Sequence, residues 1–192
     1  MATRAIDFPE HPFWDFALAV YRAKGVSAAC LNLQERHGID INLMLFCLWL
    51  GESGRGALTE TEMLAVMAAS DRWHKVVVKG LRLVRRALKD GFADAPAQLR
   101  DALRAEVQAT EIDAEHLEQL ILAGAVDRTP DHAGAPAVER AAHAAETFDH
   151  YLRAVDGRFT PHDAVDFAHI LGKAFKGLAP DQALDAAEIL MR

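Results

Sequence analysis

The chain lacks most of the features that assign a sequence to a chemical class at sight. It has only two cysteines, Cys30 and Cys47, which leaves no disulfide framework and no cysteine-rich zinc site. No segment alternates apolar and polar residues with the period of a β-strand. The motifs of P-loop proteins, dinucleotide-binding proteins, α/β-hydrolases and His-Glu-x-x-His metalloproteases are also missing. We therefore expect no catalytic residue and no cofactor, and favour a non-enzymatic protein.

Long apolar runs are missing too. A membrane-spanning helix needs about 20 apolar residues, whereas the run 41–50 is far shorter and is interrupted by Asn42. Residues 1–7 lack the apolar core of a signal peptide. The sequence therefore predicts a cytoplasmic protein with no segment in a membrane.

The residues that are present favour an all-α fold. Apolar residues make up 51% of the 192 residues and charged residues 26%, which is typical of a globular protein. The run 41–50 is apolar on every face of a helix, so other protein segments must surround it. We predict a compact bundle of about eight or nine helices around this central helix. The predicted helices cover residues 13–24, 27–36, 41–50, 59–69, 71–89, 96–123, 138–155, 160–178 and the residues from 180 onward.

Capping signals and apolar spacing support these boundaries. Asp40 is placed to cap the central helix, and Thr59 with Glu62 has the spacing of a capping box. Thr160 and Pro161 begin another helix in the same way. The longest predicted helix, 96–123, has a single amphipathic stripe. The stripe consists of Leu99, Leu103, Val107, Ala114, Leu117 and Ile121.

The charge is distributed unevenly along the chain. Residues 1–95 hold 12 Lys/Arg and 11 Asp/Glu, a net +1, whereas residues 96–192 hold 9 and 17, a net −8. The segment 91–95 has the composition of a linker. We therefore predict an N-terminal helical bundle over 13–90. A C-terminal helical region over 96–192 either completes that bundle as one domain or extends it.

The N-terminal half contains an ordered set of aromatic, Gly, Gln and Asn positions. The set runs Phe13-Trp14-x-Phe16, Tyr21, Gly25-Val26, Ala29-Cys30-Leu31-x-Leu33-Gln34, Gly38-x-Asp40-x-Asn42, Leu45-Phe46, Trp49, and Trp73-His74 through Arg85-Arg86. Over residues 13–90 these positions resemble a proteobacterial family known as domain of unknown function 2390. The resemblance implies a bacterial cytoplasmic protein. Since the family has no assigned activity, it implies no functional residue.

The helix 71–89 has a stripe of basic residues. Their spacing places five of them on one face, and no acidic residue lies between Arg72 and Lys89. The stripe consists of Lys75, Lys79, Arg82, Arg86 and Lys89, with Arg85 beside it. The favoured interpretation is a solvated face or neutralisation by acids of the next helix. That helix supplies Glu106, Glu111, Asp113, Glu115 and Glu118. An acidic protein partner is the second interpretation. Nucleic acid is the least favoured, because the net charge is −7 and no aromatic residues are interleaved.

Two weaker candidate sites contain metal-ligating or polar residues. Two C-terminal helices each place histidines and a carboxylate on one face, which could hold a metal ion between them. These residues are His143, Glu146, His150, His162, Asp166 and His169. Solvated histidines are the simpler interpretation. Gln34, Asp40 and Asn42 could line a small-molecule pocket with Trp49, although helix capping explains Asp40 and Asn42 without a ligand.

The glycine loop 51–56 contains Arg55 but does not follow the order of a P-loop, so we interpret it as a flexible connection. Together these patterns predict an interaction or regulatory module that binds a partner protein or a second copy of itself. One alternative is a metal-dependent helical enzyme that uses the C-terminal histidines. The other is a nucleic-acid accessory protein that uses the basic helix 72–89.

Overall fold

The computed structural model describes residues 6–92 and 94–192, and only the backbone of Asp90. Over these residues the chain forms nine α-helical segments and no strand. They are α1 (Pro12–Tyr21), α2 (Val26–His37), α3 (Ile41–Glu52), α4 (Glu60–Trp73), α5 (Lys79–Asp90), α6 (Ala97–Gly124), α7 (Ala137–Ala154), α8 (Pro161–Ala174) and α9 (Pro180–Glu188). A π-helical turn, His74–Val78, joins α4 to α5, and a 3₁₀ turn, Ile189–Met191, follows α9. The prediction of an all-α helical bundle is confirmed.

Helix α3 is the centre of the bundle. The side chain of Asp40 caps it by accepting a hydrogen bond from the backbone N–H of Asn42 at 2.9 Å, and every residue from 42 to 51 is buried. Helix α7 packs along one side of α3, while α1 and α6 pack on others. The predicted central helix is therefore confirmed, and it extends two residues further than expected.

The C-terminal helices share a hydrophobic core with the N-terminal ones. A single cluster of buried side chains includes Phe46 of α3, Phe148 of α7 and Phe167 of α8, and α2 packs against α8. The capping boxes at Thr59 and Thr160 form as expected. Whether 13–90 and 96–192 are separate domains stays a prediction.

Several predicted helix boundaries are wrong; α8, for example, ends at Ala174 rather than at residue 178. The chain does not break at residue 70, because α4 continues through the π-helical turn into α5 and Asp71 lies inside α4. Helix α1 ends at Tyr21 rather than at residue 24. Helix α2 begins one residue before Ser27, because Gly25 adopts a left-handed conformation with φ of 85° and serves as the N-cap.

The first half of α6 does not bury the apolar stripe that its sequence contains. Leu99 and Leu103 are exposed, and the buried residues of α6 begin only at Glu111. This part of the helix lies beside α5, and none of the described side chains in residues 79–90 or 97–110 is buried. We call these two segments the arm. Among the described residues no helix is both long enough and apolar enough to cross a bilayer.

Candidate functional site

Arg82 of the basic stripe and Arg85 beside it form ion pairs with α6. The Nη2 of Arg82 lies 2.8 Å from Oε1 of Glu115, and its Nε lies 3.1 Å from Oε1 of Glu111. The Nε of Arg85 lies 2.5 Å from Oε2 of Glu111. Burial would raise the pKa of Glu111, but Arg85 and Arg82 outweigh it and lower that pKa. For these two arginines the structure shows the neutralisation within the chain that the sequence favours.

The other four residues of the basic stripe face solvent. The Nζ of Lys75 lies 2.7 Å from the Asp71 carboxylate, one helical turn away. Such an exposed pair contributes little to stability. Lys79, Arg86 and Lys89 are also exposed. These three residues therefore give the arm a basic surface that remains accessible.

The arm also exposes large apolar side chains. The exposed fraction is 70% for Leu83 and 69% for Leu99, and it is about half for Val84 and Leu103. Leu99 and Leu103 are four residues apart and therefore share one face of α6. We call these four residues, together with Lys79, Arg86 and Lys89, the arm surface. It combines exposed apolar area with positive charge.

A buried polar centre lies at the base of the arm. It brings together Asp40 before α3, His74 at the start of the π-helical turn, and Glu118 on α6. The Nδ1 of His74 is 3.0 Å from Oδ2 of Asp40 and 2.9 Å from Oε1 of Glu118. Glu118 is completely buried, and Asp40 nearly so. Two carboxylates and one imidazole therefore meet at a largely buried position.

Neighbouring side chains hold these groups in place. Asn42 donates a hydrogen bond from Nδ2 to Oε2 of Glu118 at 2.7 Å and accepts one from Nε2 of Gln119 at 2.9 Å. The backbone N–H of Asp40 donates to the hydroxyl oxygen of Tyr151 at 2.6 Å. The centre thus links α3, α6 and α7, and its side chains are fixed by contacts outside the cluster.

The charges of the polar centre favour a protonated imidazole. Burial alone would lower the pKa of His74, but its interactions with Asp40 and Glu118 outweigh this effect and raise that pKa to about 9. At neutral pH the imidazolium therefore balances one of the two carboxylates.

Two cavities border the polar centre. One of about 260 Å³ is lined by Asp40, His74, Ser70 and Tyr151 among others. A second, of about 430 Å³, lies between α1, α3, α5 and α6, and Asp40 lines it as well. Both are large enough to hold several water molecules.

The predicted pocket set is only partly assembled. Gln34, Asp40 and Asn42 line the larger cavity. Trp49 does not line it, because its ring stacks on Phe13 with 5.3 Å between centroids. Asp40 caps α3, which is the structural role that the simpler interpretation gives it. Gln34 donates a hydrogen bond to the backbone carbonyl oxygen of Ile39.

The glycine loop packs against other segments of the chain. Gly51 and Glu52 belong to α3. Gly54 accepts a hydrogen bond from the backbone N–H of His132 at 2.8 Å. The guanidinium group of Arg55 lies 4.4 Å above the ring of Trp49. The loop, which connects α3 to α4, therefore packs against the segment before α7, and a flexible connection stays a prediction.

The C-terminal metal candidates contact different neighbours. Asp166 lies 2.5 Å from the guanidinium group of Arg36, and Nε2 of His169 lies 3.0 Å from the carbonyl oxygen of Lys24. In the part of the chain that the structure describes, one group of three metal-ligating side chains has its donor atoms within 4.8 Å of one another. That group is the polar centre. A metal site on the C-terminal residues stays a prediction. Those residues are His143, Glu146, His150, His162, Asp166 and His169.

Sequence reasoning missed the polar centre as a unit. Asp40 was predicted as a cap, while Glu118 was counted only among the acids that could neutralise the basic helix. One signal was available: Glu111, Glu115 and Glu118 are spaced four and three apart and share a face of α6. The sequence does not indicate that this polar face, rather than the apolar stripe, turns inward.

Comparison with known proteins identifies a family for this chain but no activity. A family model described as "Protein of unknown function (DUF2390)" matches residues 12–122. The match extends past the predicted range 13–90, through nearly all of α6, and so includes the arm and all three residues of the polar centre. No curated protein and no solved structure matches the chain.

Proposed function

We propose that this chain, which belongs to the family of unknown function DUF2390, acts through protein–protein interaction and that the arm surface is its docking site. The observation that carries the proposal is the exposure of Leu83 and Leu99 on two adjacent helices. Exposed apolar area next to charged residues is typical of an interaction surface. The arm would gain buried apolar area from a partner, because none of its described side chains is buried in the free chain.

The occupant that fits this surface is an acidic amphipathic helix of another protein. The arm contains seven Lys/Arg and three Asp/Glu, a net +4. With Arg82 and Arg85 neutralised by Glu111 and Glu115 it keeps a net +2, so two arms placed face to face would repel each other. A helix with apolar residues at three- and four-residue spacing and acidic flanks would cover the leucines and pair with Lys79, Arg86 and Lys89. Phosphate groups of a nucleic acid would leave the leucines uncovered, so the surface favours a protein.

The test compares the wild-type chain with Leu83→Ser/Leu99→Ser. Each immobilised protein is used to capture partners from extracts of the source cells. A captured protein is then produced alone and titrated against both forms by calorimetry. We expect the double substitution to weaken binding at least 10-fold, or about 1.4 kcal/mol, because it removes two central apolar anchors. We also expect the affinity of the wild type to fall as salt rises.

The matched control is Val165→Ser, which changes an exposed residue on α8 (58% exposed) far along the chain from the arm. It should bind like the wild type, and all variants should show the same thermal transition. Equal affinity of the double variant would contradict the proposal. So would a dimer of the wild type that dissociates in the double variant, because a second copy would then cover the arm.

A further inference from the structure

The polar centre has the composition of a metal site. We propose that Asp40, His74 and Glu118 bind a divalent transition-metal ion. One imidazole nitrogen and two carboxylate oxygens are donors that suit Zn²⁺, Fe²⁺ or Mn²⁺. Lys79 of the arm surface lines the cavity beside this site, but none of the three ligands belongs to the arm, and neither proposal depends on the other.

The distances between the donor atoms fit a shared ion. Nδ1 of His74 lies 3.0 Å from Oδ2 of Asp40 and 2.9 Å from Oε1 of Glu118, and all three atoms lie within 4.8 Å of one another. Metal–ligand bonds of about 2.1 Å at right angles place neighbouring donors about 3 Å apart. The three atoms therefore need little movement to enter one coordination sphere.

One donor atom is left without a hydrogen bond. Asp40 is 7% exposed, and its Oδ1 accepts from the backbone N–H of Asn42. Its buried Oδ2 accepts no hydrogen bond. It lies 3.0 Å from Nδ1 of His74, whose single hydrogen cannot serve both this oxygen and Oε1 of Glu118 at 2.9 Å. A buried acceptor without a partner is costly. A divalent cation that displaces the Nδ1 proton of His74 to solvent would be shared by the three groups, would satisfy Oδ2 and would neutralise both carboxylates.

The residues around the three proposed ligands resemble those around metal sites in other proteins. Asn42 holds the second oxygen of Glu118, and such partners behind the ligands fix their orientation. His74 begins a π-helical turn, a distortion that often occurs at functional sites. The cavity of about 260 Å³ borders Asp40 and His74 and leaves room for water on the ion. Three protein ligands with water in the remaining positions describe an accessible site rather than a closed structural one.

The test uses the full chain, purified without a tag, stripped with chelator and titrated with Zn²⁺ or Mn²⁺ by calorimetry. Elemental analysis after gel filtration measures the bound ion. We expect one ion per chain. His74→Gln removes a direct ligand, so the affinity should fall by more than the 10- to 100-fold typical for loss of an outer partner. His143→Gln, which changes a histidine outside the centre, should bind like the wild type.

Three results would overturn the proposal. They are a wild-type chain that binds no stoichiometric ion, undiminished binding by His74→Gln, and binding that only His143→Gln abolishes. The first result would identify the centre as an imidazolium held between two carboxylates. If His74→Gln does not unfold cooperatively, the proposal is tested by NMR on wild-type protein labelled with ¹⁵N at histidine. One equivalent of Zn²⁺ should then shift the Nδ1 resonance of His74, and an unchanged resonance would contradict the proposal.

Discussion

At the scale of single residues, Glu62 shows how a partly exposed acid can stabilise the fold through hydrogen bonds to distant and neighbouring residues. Its carboxylate accepts hydrogen bonds from Arg128 at 2.7 Å and from the backbone N–H of Thr59 at 2.8 Å. The hydrogen bond from Arg128, followed by those from Thr59, lowers the pKa of Glu62 to about 2. Because the folded chain holds this carboxylate ionised, its stabilising effect is complete above the unfolded pKa of about 4.5 and is lost as pH falls toward 2.

We predict that Glu62→Gln destabilises the chain by about 1 kcal/mol at neutral pH, the upper range for a partly exposed pair. Glutamine retains the capping geometry but loses the charge that faces Arg128. Urea unfolding of both forms between pH 7 and pH 2 measures the effect. The difference in the free energy of unfolding should shrink as pH falls. A difference that stays constant, or that equals the one produced by Glu60→Gln in the same helical turn, would refute the pairing.

Residues with local partners could be predicted from the sequence, whereas residues with distant partners could not. Asp40 and Thr59 cap helices that begin within three residues of them, so spacing alone indicates their roles. His74 and Glu118 are far apart in sequence and meet only because α6 packs beside the π-helical turn. A histidine in an amphipathic helix gives no sign of which acid it will contact.

At the scale of helices, the close packing of α3 on α7 depends on Gly51. A Cβ atom at this position would overlap the carbonyl oxygen of Arg140 and lie 2.8 Å from the Cβ of Ala144. We predict that Gly51→Ala destabilises the chain by about 1–3 kcal/mol, because two well-packed helices must separate. Thermal or urea unfolding measures this loss.

The matched control is a glycine inside another helix. Gly172 of α8 has no atom within 4 Å of its Cβ position, so Gly172→Ala should stabilise the chain by about 0.5–1 kcal/mol through helix propensity. The two substitutions are chemically identical and should have opposite signs. The same sign for both would show that α3 and α7 do not pack as described.

Helix positions could be read from apolar spacing, but helix neighbours could not. The central helix and the capped helices form where predicted because their signals are local. The predicted helix break at residue 70 is absent, because α4 continues through the π-helical turn into α5. No local sequence signal indicates this turn. The apolar stripe on α6 did not predict which residues are buried, because the first half of this helix packs beside α5 and not against the core.

At the scale of the whole molecule, charge and apolar exposure are concentrated at one place. The chain carries a net −7, yet the arm carries a net +4. The core is shared between helices from both halves of the chain, so the arm is the element that contributes least to it. An apolar, basic projection from an acidic body indicates a surface kept for a partner.

Hydrogen exchange of the full chain, alone and saturated with its captured partner, tests this claim most directly. Amides within residues 79–90 and 97–110 should exchange fast in the free chain, because these segments bury no described side chain. With the partner bound, their exchange should slow, while exchange in α8 and α9 stays unchanged. Slowing confined to α8 and α9, or no slowing in the arm, would contradict the proposal that the arm is the docking surface.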